Sequence, residues 1–206
     1  MCLRKTVYLI RHAESTNNNA KLTLRRTLKR CACPRSCHEL VQLCSLLTLP
    51  MDSPPSAAGV RMIEEQRADV LAHLPVQSVV IHSHLRRARQ TAVGLFGSSS
   101  AAALEVDPEL YEKALSEHAG LRSLKRRVRA FQARLRQRSE SVLVIVGHSA
   151  FFRALVPELH GRKRELGNLS VWRLTLGPDG DFDDLELVLP GWIEGVRASG
   201  DTARDV

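Results

Sequence analysis

The stretch "VYLIRHAESTNN", residues 7 to 18, runs an apolar segment straight into Arg11, His12 and a cluster of small polar side chains. Four apolar residues in a row, with no polar alternation, fit a strand covered on both faces, as in parallel sheets sandwiched by helices. Two more runs share this character, "SVVIH" at 78–82 and "SVLVIV" at 141–146, and "LSVWRLTL" (169–176) and "LELVL" (185–189) follow. Between them lie helical patterns at 57–73, with Ser56 as cap, and at 86–96, 119–138 and 151–159. The expected fold is α/β, a mostly parallel central sheet flanked by helices on both faces. The turn-rich "GPDGDFDD" (177–184) makes the last two strands a C-terminal edge hairpin. "GSSSAAA" (97–103) reads as a flexible loop and the chain after about 195 as a weakly ordered tail.

A chain of 206 residues has the size of one such domain, and 44% apolar with 25% charged residues is the balance of a globular protein. No apolar run approaches the roughly 20 residues that cross a bilayer, and only a few residues precede the first strand, so a cytosolic protein without membrane contact is expected. The net charge of +8 points to an anionic partner. Cys31, Cys33, Cys37 and Cys44 crowd into "CACPRSCHELVQLC" beside His38. Their spacing lacks the paired CxxC of a zinc site, so they read as reduced thiols in a variable insertion at about 19–52, and no metal is expected.

Ligands of open α/β sheets sit beyond the carboxyl ends of the strands. His12 follows the first strand directly. His148 follows the run at 141–146, in "VLVIVGHSAFF", where Gly147 lets the backbone turn tightly. The middle run leads into "SVVIHSHLRRARQTA" (78–92), with Ser83 as the expected cap of the next helix. Arg86 and Arg87 oppose the dipole of that helix unless an anion shares its end. Arg86 and Arg89 read as solvated, Arg87 as a phosphate ligand.

These elements together resemble the histidine phosphatase superfamily, which includes phosphoglycerate mutase. "LIRHAES" is similar to its Arg-His-Gly-Glu signature, with Ala13 at the glycine position. "SHLRRARQTA" resembles the Ser-x-Leu-x-Arg-Ala-x-Gln-Thr element, and "VIVGHSAFFRAL" the second-histidine segment. "SPPSAAGVRMIEEQ" resembles the Pro-Leu-Thr-x-x-Gly-x-x-Gln connection, with Pro55 and Ser56 where leucine and threonine are usual. The likeness spans residues 6 to about 176.

The resemblance implies a metal-independent phosphomonoesterase in which His12 attacks phosphorus and becomes a transient phosphohistidine, without a cofactor. Arg11, Arg87 and His148 would hold the phosphoryl oxygens, helped by Asn18, with Asn17 as its competitor, and by Ser15 or Ser149. Arg11 would also discourage protonation of His12 and so preserve its lone pair. In "VDPELYEKALSE" the family's leucine, one residue, then glutamate fits Leu110 and Glu112, which assigns proton donation to Glu112; Glu109 and Glu117 remain alternatives.

"KALSEHAGLRSLKRR" (113–127) replaces the longer segment that the family's mutases carry after the acid. This favours a phosphatase acting on a small phosphorylated substrate over a mutase. Lys21, Arg25, Arg26, Lys29 and Arg30, in the insertion, read mainly as exposed. A nucleic-acid-binding module is the rival for "LRSLKRRVRAFQARLRQR" (121–138). Its apolar Leu121, Leu124, Val128, Phe131 and Leu135 recur at helical spacing, however, and 4% aromatic residues leave few stacking platforms. A silent relative that binds a phosphoprotein would have no need of His12.

Overall fold

The computed structural model describes residues 4–16, 52–75, 78–97, 103–112, 124–162 and 165–192. β1 (Lys5–Arg11) buries its apolar residues on both faces, which sends alternate side chains into two separate cores. Val7 and Leu9 join one and Tyr8 and Ile10 the other. β2 (Val79–Ser83) and β4 (Val142–Gly147) divide in the same way, with Ile81, Leu143 and Ile145 against Val80, Val144 and Val146.

The second core is closed by α1 (Ala57–Ala72) and α2 (Arg86–Phe96), through Met62, Ile63, Ala88, Ala92 and Leu95. The first is closed by α3 (Leu124–Gln137) and α4 (Ser149–Leu155), through Val128, Phe131, Phe151 and Phe152. With β3 (Ala103–Asp107), β5 (Val171–Leu176) and β6 (Phe182–Leu189) the sheet has the order β3-β2-β4-β1-β5-β6. The four strands from β3 to β1 are parallel, and β5 and β6 complete the sheet antiparallel as the expected edge hairpin. Among the described residues no helix is long and apolar enough to cross a membrane.

Several expectations need correction. β3 begins at Ala103, the last residue of the stretch read as a loop, and was not anticipated as a strand. The helix expected over 151–159 is α4 followed by a 3₁₀ turn (Pro157–His160), because Pro157 drives Val156 out of the helical region. Phe182, Asp183 and Asp184 belong to β6 rather than to the hairpin turn, and Asp184 (φ 54°) sits where the pairing with β5 shifts register. Ser56 caps α1 as expected, its Oγ accepting the Gly59 N–H at 3.0 Å. Ser83 does not cap α2: the Arg86 N–H is taken by Asp52 Oδ1, and Leu85 is the cap residue. The cysteine-rich insertion up to residue 51, the start of the third expected helix (119–123) and the tail lie outside the described residues.

Candidate active site

β1 and β4 are neighbouring parallel strands whose register pairs Arg11 with Gly147. The next residue of each is a histidine, so sheet geometry alone sets His12 and His148 side by side. Their ring centroids are 5.0 Å apart, tilted by 58°. The His12 N–H donates to Gly147 O at 3.0 Å, and Asn168 Nδ2 donates to His12 O at 2.8 Å, so the backbone of His12 is pinned on both sides. Gly147 has no left-handed conformation; it is needed because a Cβ there would lie 2.9 Å from the Phe152 ring, where α4 folds back over the strand end.

The polarity of His12 follows from its contacts. Nδ1 lies 2.7 Å from Ala13 O, an acceptor, so Nδ1 carries the proton and Nε2 the lone pair. Arg87 Nε donates to that Nε2 at 3.3 Å. Arg87 gets there through Thr91, one turn further along α2: Thr91 Oγ1 donates to Arg87 O at 2.7 Å and accepts the Ala13 N–H at 3.0 Å. The helix is thereby fastened to the loop that carries the nucleophile candidate. Arg87 is 6% exposed, whereas Arg86 and Arg89 are exposed as expected. Burial lowers the Arg87 pKa, opposed by Glu112 and Asp52, yet a guanidinium remains charged at any physiological pH.

His148 is fully buried, with Nε2 3.0 Å from Ser83 Oγ. That hydroxyl also accepts the Leu85 N–H at 3.3 Å and has its own proton to give, so we assign its O–H as the donor to His148 Nε2. The imidazole proton then sits on Nδ1, a buried atom with no hydrogen-bond partner among the described residues and 3.9 Å from Glu112 Oε2. Burial holds the His148 pKa well below the usual histidine range, reinforced by His12, Arg87, Arg11 and His84. His148 is therefore a neutral donor.

This neutrality has a consequence for stability. An unfolded histidine titrates near about 6.5, and the folded one lower, so between the two values the unfolded chain binds the extra proton. The contribution of neutral His148 is complete above the unfolded value and is lost as pH falls towards the folded one. In thermal melts without phosphate, the wild type is expected to lose stability from about pH 7 to 5 more steeply than His148→Asn. The difference should reach up to about 1.4 kcal/mol per pH unit. Equal slopes would mean that His148 is not held neutral.

Of the other expected residues, Arg11 lies at the end of β1 and its Nη1 donates to Leu166 O. Glu112 is 32% exposed at the mouth of the histidine pair. Ser15 is fully buried and bridged to Pro55, and its hydroxyl has no partner among the described residues. Ser149 opens α4, half-buried, directly after His148. Glu109 lies in the turn after β3, three residues before Glu112, and its backbone carbonyl accepts from Arg127. Asn17, Asn18 and Glu117 lie outside the described residues. Ser83, Thr91 and Asn168 are contributors that the sequence reading did not assign to the site; Ser83 and Thr91 stand inside the quoted "SHLRRARQTA", where the motif could have marked them.

One ligand atom each of His12, Glu112 and His148 fall within 4.8 Å of one another, close enough to bracket a metal ion. Yet Arg87 donates into the His12 nitrogen that would have to ligate, and Arg87 and Arg11 both act electrostatically on the pocket. Two guanidiniums and a neutral N–H donor favour an anion over a cation.

No family model and no curated protein matches the sequence. Solved structures match in fold. A phosphoglycerate mutase from Bacillus anthracis aligns at TM-score 0.58 with 16% identity, over 89% of this chain and 92% of that one. A phosphoserine phosphatase from Entamoeba histolytica aligns at 0.55 with 14% identity, over 92% and 98%. A structure described as mycobacterial hydrolase 1 aligns at 0.55 with 16% identity, over 90% and 98%. The chain therefore shares the fold of these structures, that of phosphoglycerate mutase.

Proposed function

We propose that this chain is a metal-independent phosphomonoesterase that works through a phosphohistidine on His12. The observation that carries the reading is the polarity of His12: Nδ1–H is committed to Ala13 O, and the Nε2 lone pair faces Arg87 beside His148. A nucleophile needs such a lone pair, and a transferred phosphoryl group needs donors around its equatorial oxygens. Arg87, Arg11 and the Nδ1–H of His148 are those donors.

In the first half-reaction His12 Nε2 bonds to phosphorus while the ester P–O bond breaks, and Glu112 gives its proton to the departing oxygen. In the second, water attacks phosphorus, its proton passes to the Glu112 carboxylate, the P–N bond breaks and His12 recovers its lone pair. Hydrolysis is favoured over the mutase reaction because the sequence from Lys113 is shorter than the segment that the family's mutases carry after the acid. The histidine phosphatase-like reading also accounts for the basic surplus of the chain, which suits small anionic substrates.

Phosphate release from a panel of phosphorylated metabolites, phosphopeptides, nucleotides and p-nitrophenyl phosphate, run with a chelator, tests this. Release that persists in the chelator is expected. No release from any compound, or release that stops with chelation and returns with a divalent ion, would contradict it.

A further inference from the structure

The geometry points to Arg127 as a positioning residue for the proton donor: it fixes the peptide that leads into Glu112, and so sets where that carboxyl stands relative to the leaving oxygen. The inference rests on the assignment of Glu112 made above. Arg127 lies on α3, where Lys125, Arg126, Arg129 and Arg134 are exposed, but it is only 5% exposed itself. A cation withdrawn from water needs compensation, and its partners say what it is for. Nη1 donates to Glu109 O at 2.5 Å and to Tyr111 O at 2.7 Å. The second carbonyl belongs to the Tyr111–Glu112 peptide, so a rotation of that plane, which would swing Glu112, breaks the bond.

The guanidinium also lies 3.6 Å above the Tyr111 ring, and 5.1 Å from Phe151 on α4, the helix that begins directly after His148. One side chain thus joins the turn carrying the acid to the helix carrying the second histidine. The start of the turn is held from α3 as well, by the paired bonds of Arg134 to Asp107, while Leu110 is fully buried and its side chain would lie 3.4 Å from a Cβ on Gly147. One nitrogen, Nη1, reaches both carbonyls while the guanidinium plane stacks on the Tyr111 ring. Lysine has donors enough for the carbonyls but no plane to lay on the ring.

Positioning of an acid leaves a kinetic signature that general packing does not. An alkyl phosphate has a leaving oxygen that must be protonated, whereas p-nitrophenolate departs without a proton. In Arg127→Met, kcat/KM for an alkyl phosphate such as glycerol 2-phosphate should fall roughly 30- to 100-fold, and for p-nitrophenyl phosphate less than about threefold. Partial unfolding would lower both alike, so their ratio reports only on the folded enzyme. Arg127→Lys should recover less than half of the lost activity on the alkyl ester.

Glu112→Gln should show the same pattern with a larger amplitude, roughly 10²-fold or more on the alkyl ester. Adding Arg127→Met to Glu112→Gln should then change the ratio little, since both act on one proton transfer. If Arg127→Met does not fold, Tyr111→Leu, which removes the ring beneath the guanidinium, carries the same expectation. Equal losses on both substrates in the Arg127 variants, with discrimination preserved in Glu112→Gln, would overturn the inference alone. Absence of discrimination in Glu112→Gln would overturn the assignment of the acid, and the inference with it.

Discussion

Replacing His12 with alanine is expected to lower kcat by a factor on the order of 10⁴ to 10⁶, because the step in which nitrogen displaces the ester oxygen has no substitute in the pocket. His148 cannot take over. Its Nε2 faces Ser83, and its Nδ1 carries the proton. The loss should be chemical rather than structural, since the backbone of position 12 keeps its own contacts in the variant, the N–H on Gly147 O and the carbonyl on Asn168. Arg87, Arg11 and His148 remain, so inorganic phosphate or vanadate should still bind to His12→Ala within about tenfold of its wild-type affinity, measured by calorimetry. Turnover within tenfold of wild type would remove His12 from the reaction.

The largest effect on folding is expected from Gly59→Ala. A Cβ at this position would lie 2.1 Å from Glu14 O, and the obstacle is backbone, so no rotamer change relieves it. Glu14 cannot retreat without breaking the bonds that join its loop to the start of α1: the Ser56 N–H donates to Glu14 O at 2.9 Å, and Ser56 Oγ donates to Glu14 Oε1 at 2.6 Å. We expect a loss of about 3 kcal/mol, at the upper end for overpacking. In a chain of this length that is a fall in Tm of roughly 6–12 °C. Because Glu14 lies two residues after His12, turnover should fall as well. Gly161→Ala is the control: nothing lies within 4 Å of a Cβ there, and its φ of −69° suits any residue. A change of more than about 2 °C in that variant, or less than that in Gly59→Ala, would contradict the account.

The parts of this molecule that could be read from its sequence are those where a short stretch meets its own environment. The unbroken apolar runs of β1, β2 and β4 announce burial on both faces, and the histidines that end β1 and β4 are visible as chemistry placed at strand ends. Their adjacency is different. It depends on β4 lying next to β1 in the register Arg11 to Gly147, although 136 residues separate His12 from His148, and no local pattern encodes that pairing.

The same holds for the errors. Ser83 looks like a cap because it stands just before α2, but Asp52, 34 residues before Arg86, occupies that place in space and leaves the hydroxyl to orient His148. β3 is a strand through its pairing with β2 at the sheet edge, where half-exposed "ALEVD" has no clear alternation to announce it. Arg127 stands beside the apolar stripe of α3, indistinguishable by spacing from its solvated neighbours until the turn at Glu109–Tyr111 is folded against it. By contrast, the break after α4 was legible: Pro157 forbids the helix that hydrophobic spacing alone would continue.

The most direct measurement is a rapid base quench of the enzyme mixed with phosphate-labelled p-nitrophenyl phosphate, followed by mass-spectrometric mapping of the protein-bound label. A single phosphoryl group is expected, stable to base and labile to acid as a phosphoramidate is, located on His12, formed faster than turnover and absent from His12→Ala. Label on another residue, or turnover with no label at any quench time, would contradict the mechanism.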